Sequence, residues 1–181
     1  NFSDGDFTAN PTWTLSSASD FSVGAGQLKS ANTSTNSSFY ISTTNTLTSN
    51  CTWEFYVNLQ LNTSSLNYID AYLMSDVSNL SATSINGYFV RIGSTADDIS
   101  LYKRTGASTN SLVVGTAGVL NTSNNTLKIR VTRNSSNLWT LERDITGTGS
   151  TYVTEGTATD ATFTTSNSFG FLVKQSTASF F

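Results

Sequence analysis

The chain is 181 residues long, within the usual span of one domain and long enough to bury a core without metal or disulfide. Ser, Thr and Asn occupy 77 of the 181 positions while Asp, Glu, Lys and Arg together make 12%, so the chain is polar without being charged. Nine basic and twelve acidic residues give a formal charge of −3, which offers no basic stripe to a nucleic acid; the absence of histidine excludes Ser-His-Asp and Cys-His nucleophiles, and one Cys without His cannot build a zinc site.

Hydrophobic residues make 37% and aromatics 12%, enough apolar surface to offset chain entropy. No run of about 18 apolar residues is present, so membrane insertion is not expected. In chain order, the pattern predicts a hairpin of strands 21–23 and 27–30 around Gly24-Ala25-Gly26, then a strand at 39–42. The clearest signal follows at 51–61, where Cys51, Trp53, Phe55, Val57, Leu59 and Leu61 alternate with polar neighbours and Tyr56 in a period of two. Further strands are predicted at 68–74, 88–92, 99–104, 112–114, 127–131, 138–143, 152–155 and 169–173, punctuated by Asn86-Gly87, Thr105-Gly106 and Thr146-Gly147-Thr148-Gly149.

No segment carries helical spacing over three turns, and no repeat of fixed period is visible. The expected fold class is all-β: a two-sheet antiparallel sandwich with jelly-roll architecture. Trp53, Phe55, Val57, Ile129, Val131, Phe171 and Val173 occupy the apolar phase and should form its core. One sandwich domain, 1–181, is expected. The opening at Asn1 without Met or leader, the scarcity of Lys and the abundance of Ser, Thr and Asn point to a secreted or surface-displayed protein. The closing Ala178-Ser179-Phe180-Phe181 reads as a final or truncated strand of a longer polypeptide.

Three stretches carry a family resemblance: Asn1-Phe-Ser-Asp-Gly-Asp-Phe-Thr-Ala-Asn-Pro-Thr-Trp, Cys51-Thr-Trp-Glu-Phe-Tyr-Val, and Asn86-Gly-Tyr-Phe-Val-Arg-Ile-Gly followed by Ile99-Ser-Leu-Tyr-Lys. Over nearly its whole length the chain resembles an N-terminal domain of large secreted bacterial surface proteins of the type 9 secretion class, with a concanavalin A-like lectin/glucanase jelly roll. The resemblance implies that fold, a surface location, and glycan binding or adhesion. It also implies a structural calcium for which Asp4 and Asp6 are the candidate ligands. By its residues alone, Asp4-Gly5-Asp6 reads first as an exposed turn in which Asp caps its own backbone.

A glycan-cleaving enzyme needs paired carboxylates, one with a raised pKa. Glu54, Asp70 and Glu142 are the strand-borne candidates, yet no segment has the Glu-x-Asp-x-(x)-Glu pattern of laminarinase-like jelly rolls, so catalysis is disfavoured. Cys51, in phase with Trp53, is expected to pack as a small apolar group. Strand phase places a ligand face instead. If the apolar phase points inward, Glu54, Tyr56, Tyr68, Asp70, Tyr72, Arg91, Tyr102 and Arg104 point out, and if their strands share a sheet they meet on one face. Aromatic rings suit the C–H faces of sugars, and planar charged groups suit their hydroxyls. The expected function is a non-catalytic binding or adhesion module for a polysaccharide or cell-surface glycan; the alternative is a structural spacer within a multidomain polypeptide.

Overall fold

The alternation read from the sequence becomes a set of antiparallel strands in the computed structural model, which describes residues 2–177; the expected closing strand at 178–181 lies outside them. Among the described residues the strands are β1 (Thr14–Leu15), β2 (Phe21–Gly24), β3 (Gln27–Ser30), β4 (Ser37–Thr44), β5 (Cys51–Leu59), β6 (Tyr68–Ser75) and β7 (Gly87–Gly93), then β8 (Asp98–Thr105), β9 (Ser108–Val113), β10 (Asn125–Arg133), β11 (Leu138–Asp144), β12 (Val153–Thr159) and β13 (Ser168–Gln175). Seven form one sheet in the order β1-β4-β13-β6-β7-β8-β9, and four form a second in the order β12-β11-β10-β5. The predicted hairpin β2-β3 stands apart as a third, two-stranded element. The protein is an all-β antiparallel sandwich of the jelly-roll class.

The two large sheets meet through their apolar phases. Trp53, Val57, Leu127, Ile129, Val131, Trp139 and Leu141 come from the four-stranded sheet; Phe39, Ile41, Ala71, Leu73, Val90, Leu101 and Val173 come from the seven-stranded one. Phe55 and Phe171, expected in the core, are partly buried and pack edge-to-face at 5.6 Å. Trp53 stacks on Trp139 at 5.7 Å, and Trp139 meets Tyr88 of the other sheet at 4.5 Å, so a line of rings crosses the sandwich. One register shift disturbs the alternation. Between Tyr72 and Met74 of β6 a bulge lets Leu73 and Met74 both enter the core, while β7 comes so close that a Cβ on Gly87 would lie 2.0 Å from the Met74 carbonyl oxygen. Only glycine fits there.

One end of the sandwich is tied by polar groups. Arg133, 1% exposed at the end of β10, donates to the carbonyls of Thr48, Phe163 and Asp160 and to Asn137 Oδ1, with its guanidinium 4.9 Å from the Trp139 ring and 5.3 Å from that of Tyr88. The Asp160 carboxylate accepts from the Tyr88 hydroxyl and Lys103 Nζ, both at 2.5 Å and both on the seven-stranded sheet. Burial raises the Asp160 carboxyl, but the hydrogen bonds from Lys103, Tyr88 and Thr162 outweigh it and hold the pKa at about 2. The predicted Thr146-Gly147-Thr148-Gly149 turn is organised around another acid: Asp144 accepts from the backbone N–H groups of Thr146, Gly149, Ser150 and Thr151.

Two outcomes follow. Trp53→Ala removes a ring that is 7% exposed and stacked on Trp139 inside the sandwich, and should cost about 3–5 kcal/mol in denaturant titration. A carboxyl whose folded pKa lies below its ordinary 3.8 stabilises the protein above that value and loses the contribution as pH falls towards 2. The stability gap between the parent and Asp160→Asn should therefore be full at neutral pH and shrink over that acid window, measured by chemical denaturation at each pH.

Candidate ligand-binding face

The outward phase of β6, β7 and β8 assembles two cross-strand rows on the seven-stranded sheet. In the first, Asp70 faces Arg91, which faces Ser100; in the second, Tyr72 faces Phe89, which faces Tyr102. Arg91 Nε and Nη2 each lie 2.7 Å from an Asp70 carboxylate oxygen, a bidentate pair in which the Asp70 side chain is 4% exposed and that of Arg91 25%. Burial raises the Asp70 pKa in spite of the guanidinium. Burial also opposes the charge on Arg91, but the Asp70 hydrogen bonds outweigh it and its pKa rises. The guanidinium lies 4.3 Å from the half-buried Tyr68 ring and 5.7 Å from that of Tyr102.

The second row is a stack. Tyr72 and Phe89 lie 5.1 Å apart and Phe89 and Tyr102 5.2 Å, the latter pair within 13° of parallel. One end of the stack is covered: Leu80 and Ile85, from the loop at 76–86, are buried against Tyr72 and Phe89. Arg104 pins that loop through Nη2 to the carbonyls of Ala82 and Thr83, and donates from Nη1 to the Tyr72 hydroxyl at 2.8 Å. Burial pushes the Tyr72 pKa up to about 12. Tyr102, at the other end, stands opposite the small Ser111 of β9 and stays half-exposed.

Six of the eight residues expected on the ligand face, Tyr68, Asp70, Tyr72, Arg91, Tyr102 and Arg104, thus share one face, but Tyr72 and Asp70 are buried beneath it and Arg104 holds a loop. Arg91 and Tyr102 meet solvent. Glu54 and Tyr56 do not belong to this face: they lie on β5, in the four-stranded sheet on the far side of the sandwich. Phase decides which way a side chain points, not which sheet its strand joins. There, Glu54 reaches Lys128 Nζ at 3.8 Å, and Glu142 holds Arg130 through both oxygens at 2.8 and 3.0 Å. Arg130 lowers the pKa of Glu142, the reverse of what a general acid requires. Asp70, on the other sheet, cannot complete a pair with it. Sequence reading passed over Lys174 and Leu172, which share the outward phase of β13 beside β6; their alternation with Phe171 and Val173 was the available signal. Two concavities, of about 200 Å³ beside Leu120 and Asn125 and about 280 Å³ beside Leu47 and Phe169, lie away from this face.

The N-terminal carboxylates do not fit a calcium site. Both are exposed, and Asp6 Oδ1 is engaged by the N–H and hydroxyl of Thr8 and the N–H of Ala9, the self-capping turn. No group of three His, Cys, Asp or Glu residues able to hold a metal occurs among the described residues.

Known protein-family models give no match, and neither do curated proteins. Solved structures do. The carbohydrate-binding module CBM66 from Bacillus subtilis is 13% identical, with a TM-score of 0.62, covering 93% of this chain and 91% of that one. The VIP36 exoplasmic/lumenal domain, solved with Ca2+ and Man3GlcNAc, is 13% identical at a TM-score of 0.67, covering 97% and 84%. The carbohydrate recognition domain of Emp47p is 12% identical at 0.64, covering 97% and 89%. At this identity the likeness establishes the lectin-like jelly-roll fold. Although VIP36 was solved with Ca2+, here one oxygen of Asp6 is engaged by Thr8 and Ala9 and no third acidic, Cys or His ligand is gathered with Asp4 and Asp6 among the described residues, so an Asp4→Asn, Asp6→Asn double variant should show the same melting response to calcium and to EDTA as the parent.

Proposed function

We propose that this domain is a non-catalytic glycan-binding module of an exported bacterial surface protein, and that the sugar sits on the outer face of the seven-stranded sheet. The observation that carries the reading is the placement of Arg91, fixed by Asp70 and flanked by the half-exposed rings of Tyr68 and Tyr102. A guanidinium fixed beside two phenol rings offers hydrogen bonds to hydroxyls next to surfaces on which C–H faces stack. The fold it shares with CBM66, VIP36 and Emp47p supports the same reading, since each of those is a carbohydrate-binding domain by name or was solved with a sugar. The terminal and strand motifs resembling type 9 export proteins support placing the module in a larger secreted polypeptide. Among the described residues no helix is long and apolar enough to cross a membrane.

The test is a polysaccharide panel read by affinity electrophoresis with three single variants. Tyr68→Ala and Tyr102→Ala should each weaken retention several-fold, on the order of 1 kcal/mol for a lost ring contact. Tyr56→Ala, on the opposite sheet, should leave it unchanged. Equal binding by all four proteins would remove the sugar from this face.

A further inference from the structure

The charge that this face shows to solvent differs in sign from that of the chain. Its two carboxylates are withdrawn: Asp70 gives both oxygens to Arg91, and Asp98, 5% exposed, accepts from the Ser100 hydroxyl at 2.6 Å. Asp76, in the covering loop, is engaged by Asn86 through both oxygens. The cations are not withdrawn. Lys174 points outward from β13, as its alternation with Val173 requires, directly beside Tyr68 of β6, and forms no ion pair or hydrogen bond among the described residues. Arg91 spends Nε and Nη2 on Asp70, and its Nη1 has no hydrogen-bond partner among the described residues. Arg104 adds a third positive charge, bonded only to carbonyls and a phenol. On the opposite sheet the outward cations Lys128 and Arg130 are each matched by a glutamate.

We infer that the ligand is an acidic polysaccharide, with the carboxylate of a uronic acid residue received between Lys174 and the free edge of Arg91 while its ring lies along Tyr68. The inference rests on the glycan-binding reading and narrows it. Lys174 stands opposite Tyr68, and Arg91 stands opposite Asp70 two residues further along β6, so the two cations flank β6 on a diagonal from strands about 4.8 Å to either side, with the Arg91 guanidinium reaching back to 4.3 Å from the Tyr68 ring. A carboxylate there forms charge-assisted hydrogen bonds, roughly twice as strong as those a neutral hydroxyl would make. The buried Asp70 also fixes the guanidinium plane before ligand arrives, so little side-chain freedom is lost on binding.

The test compares polygalacturonate, alginate and hyaluronate with fully methyl-esterified pectin, mannan and β-glucan, using the whole chain and affinity electrophoresis or calorimetry. Expected are binding to at least one acidic polymer and, where polygalacturonate is bound, at least tenfold weaker binding of the esterified form, which keeps the backbone and loses the charge. Affinity should fall several-fold between about 0.05 and about 0.5 M sodium chloride as screening increases. Lys174→Gln should lose most of it, Lys174→Arg should retain it, and both should melt as the parent does. A neutral polymer bound through Tyr68 and Tyr102, indifferent to salt and to Lys174→Gln, would overturn the acidic ligand and leave the glycan reading intact. Retention of no polymer at all would sink both.

Discussion

A buried arginine without a carboxylate holds the sandwich together at one end. Taking a guanidinium out of water is costly unless its donors are met, and the two terminal nitrogens of Arg133 are met by three main-chain carbonyls and the Asn137 amide oxygen, leaving only Nε without a partner. Those oxygens come from three places far apart in sequence: Thr48 before β5, Asn137 in the turn between β10 and β11, and Asp160 with Phe163 between β12 and β13. Only a chain that has brought all three connections to the same end can satisfy the group. Lysine could not replace it, because a point charge lacks the planar fork that reaches several acceptors and lies against the rings of Tyr88 and Trp139. Asp160 extends the tie, since its carbonyl serves Arg133 and Trp139 while its carboxylate serves Tyr88 and Lys103.

The same economy of parts appears on the outer face of the seven-stranded sheet. Several of its polar groups never touch solvent freely; they immobilise the ones that do. Asp70 orients Arg91, Arg104 clamps the loop at 76–86, and that loop's Leu80 and Ile85 seal one end of the ring stack. What remains accessible is small: two phenol rings, one edge of a guanidinium and one ammonium. The four-stranded sheet uses similar residues to a different end. Its outward cations are each matched by a glutamate on a neighbouring strand, leaving Arg130 3.9 Å from the Tyr152 ring and no cation in surplus.

Period-two alternation carried much of this into the sequence. It marked β5, β10 and β13 because each has one face in the core, and it set Asp70, Tyr72, Arg91, Tyr102 and Arg104 outward in advance. It could not say which strands lie side by side. Pairing partners are chosen by contacts across the whole chain, so Glu54 and Tyr56 were grouped with a face from which the entire sandwich separates them, and Lys174 was missed although its neighbour β6 had been read. Strands without an apolar phase were invisible for a different reason. Most of β9 is the exposed Ser108-Thr109-Asn110-Ser111, held by its hairpin with β8 and not by burial, so only its end at Leu112 and Val113 could be read. Asp4 and Asp6 show the limit for charge: two acids near one another signal a metal only if a third group arrives, and here none is gathered among the described residues, while Thr8 and Ala9 engage one oxygen of Asp6.

The position of β13 governs when this protein can fold. The last strand among the described residues is not at a border but in the middle, hydrogen-bonded to β4 on one side and β6 on the other. Until residues 168–175 have left the ribosome, the larger sheet exists as two separate pieces, each ending in a bare edge backed by apolar residues: Phe39 and Ile41 on one, Ile69 and Ala71 on the other. Such edges invite pairing with foreign strands. A growing chain therefore cannot close this sheet before β13 has emerged. An interrupted message yields a product with two sticky margins instead of a smaller working domain.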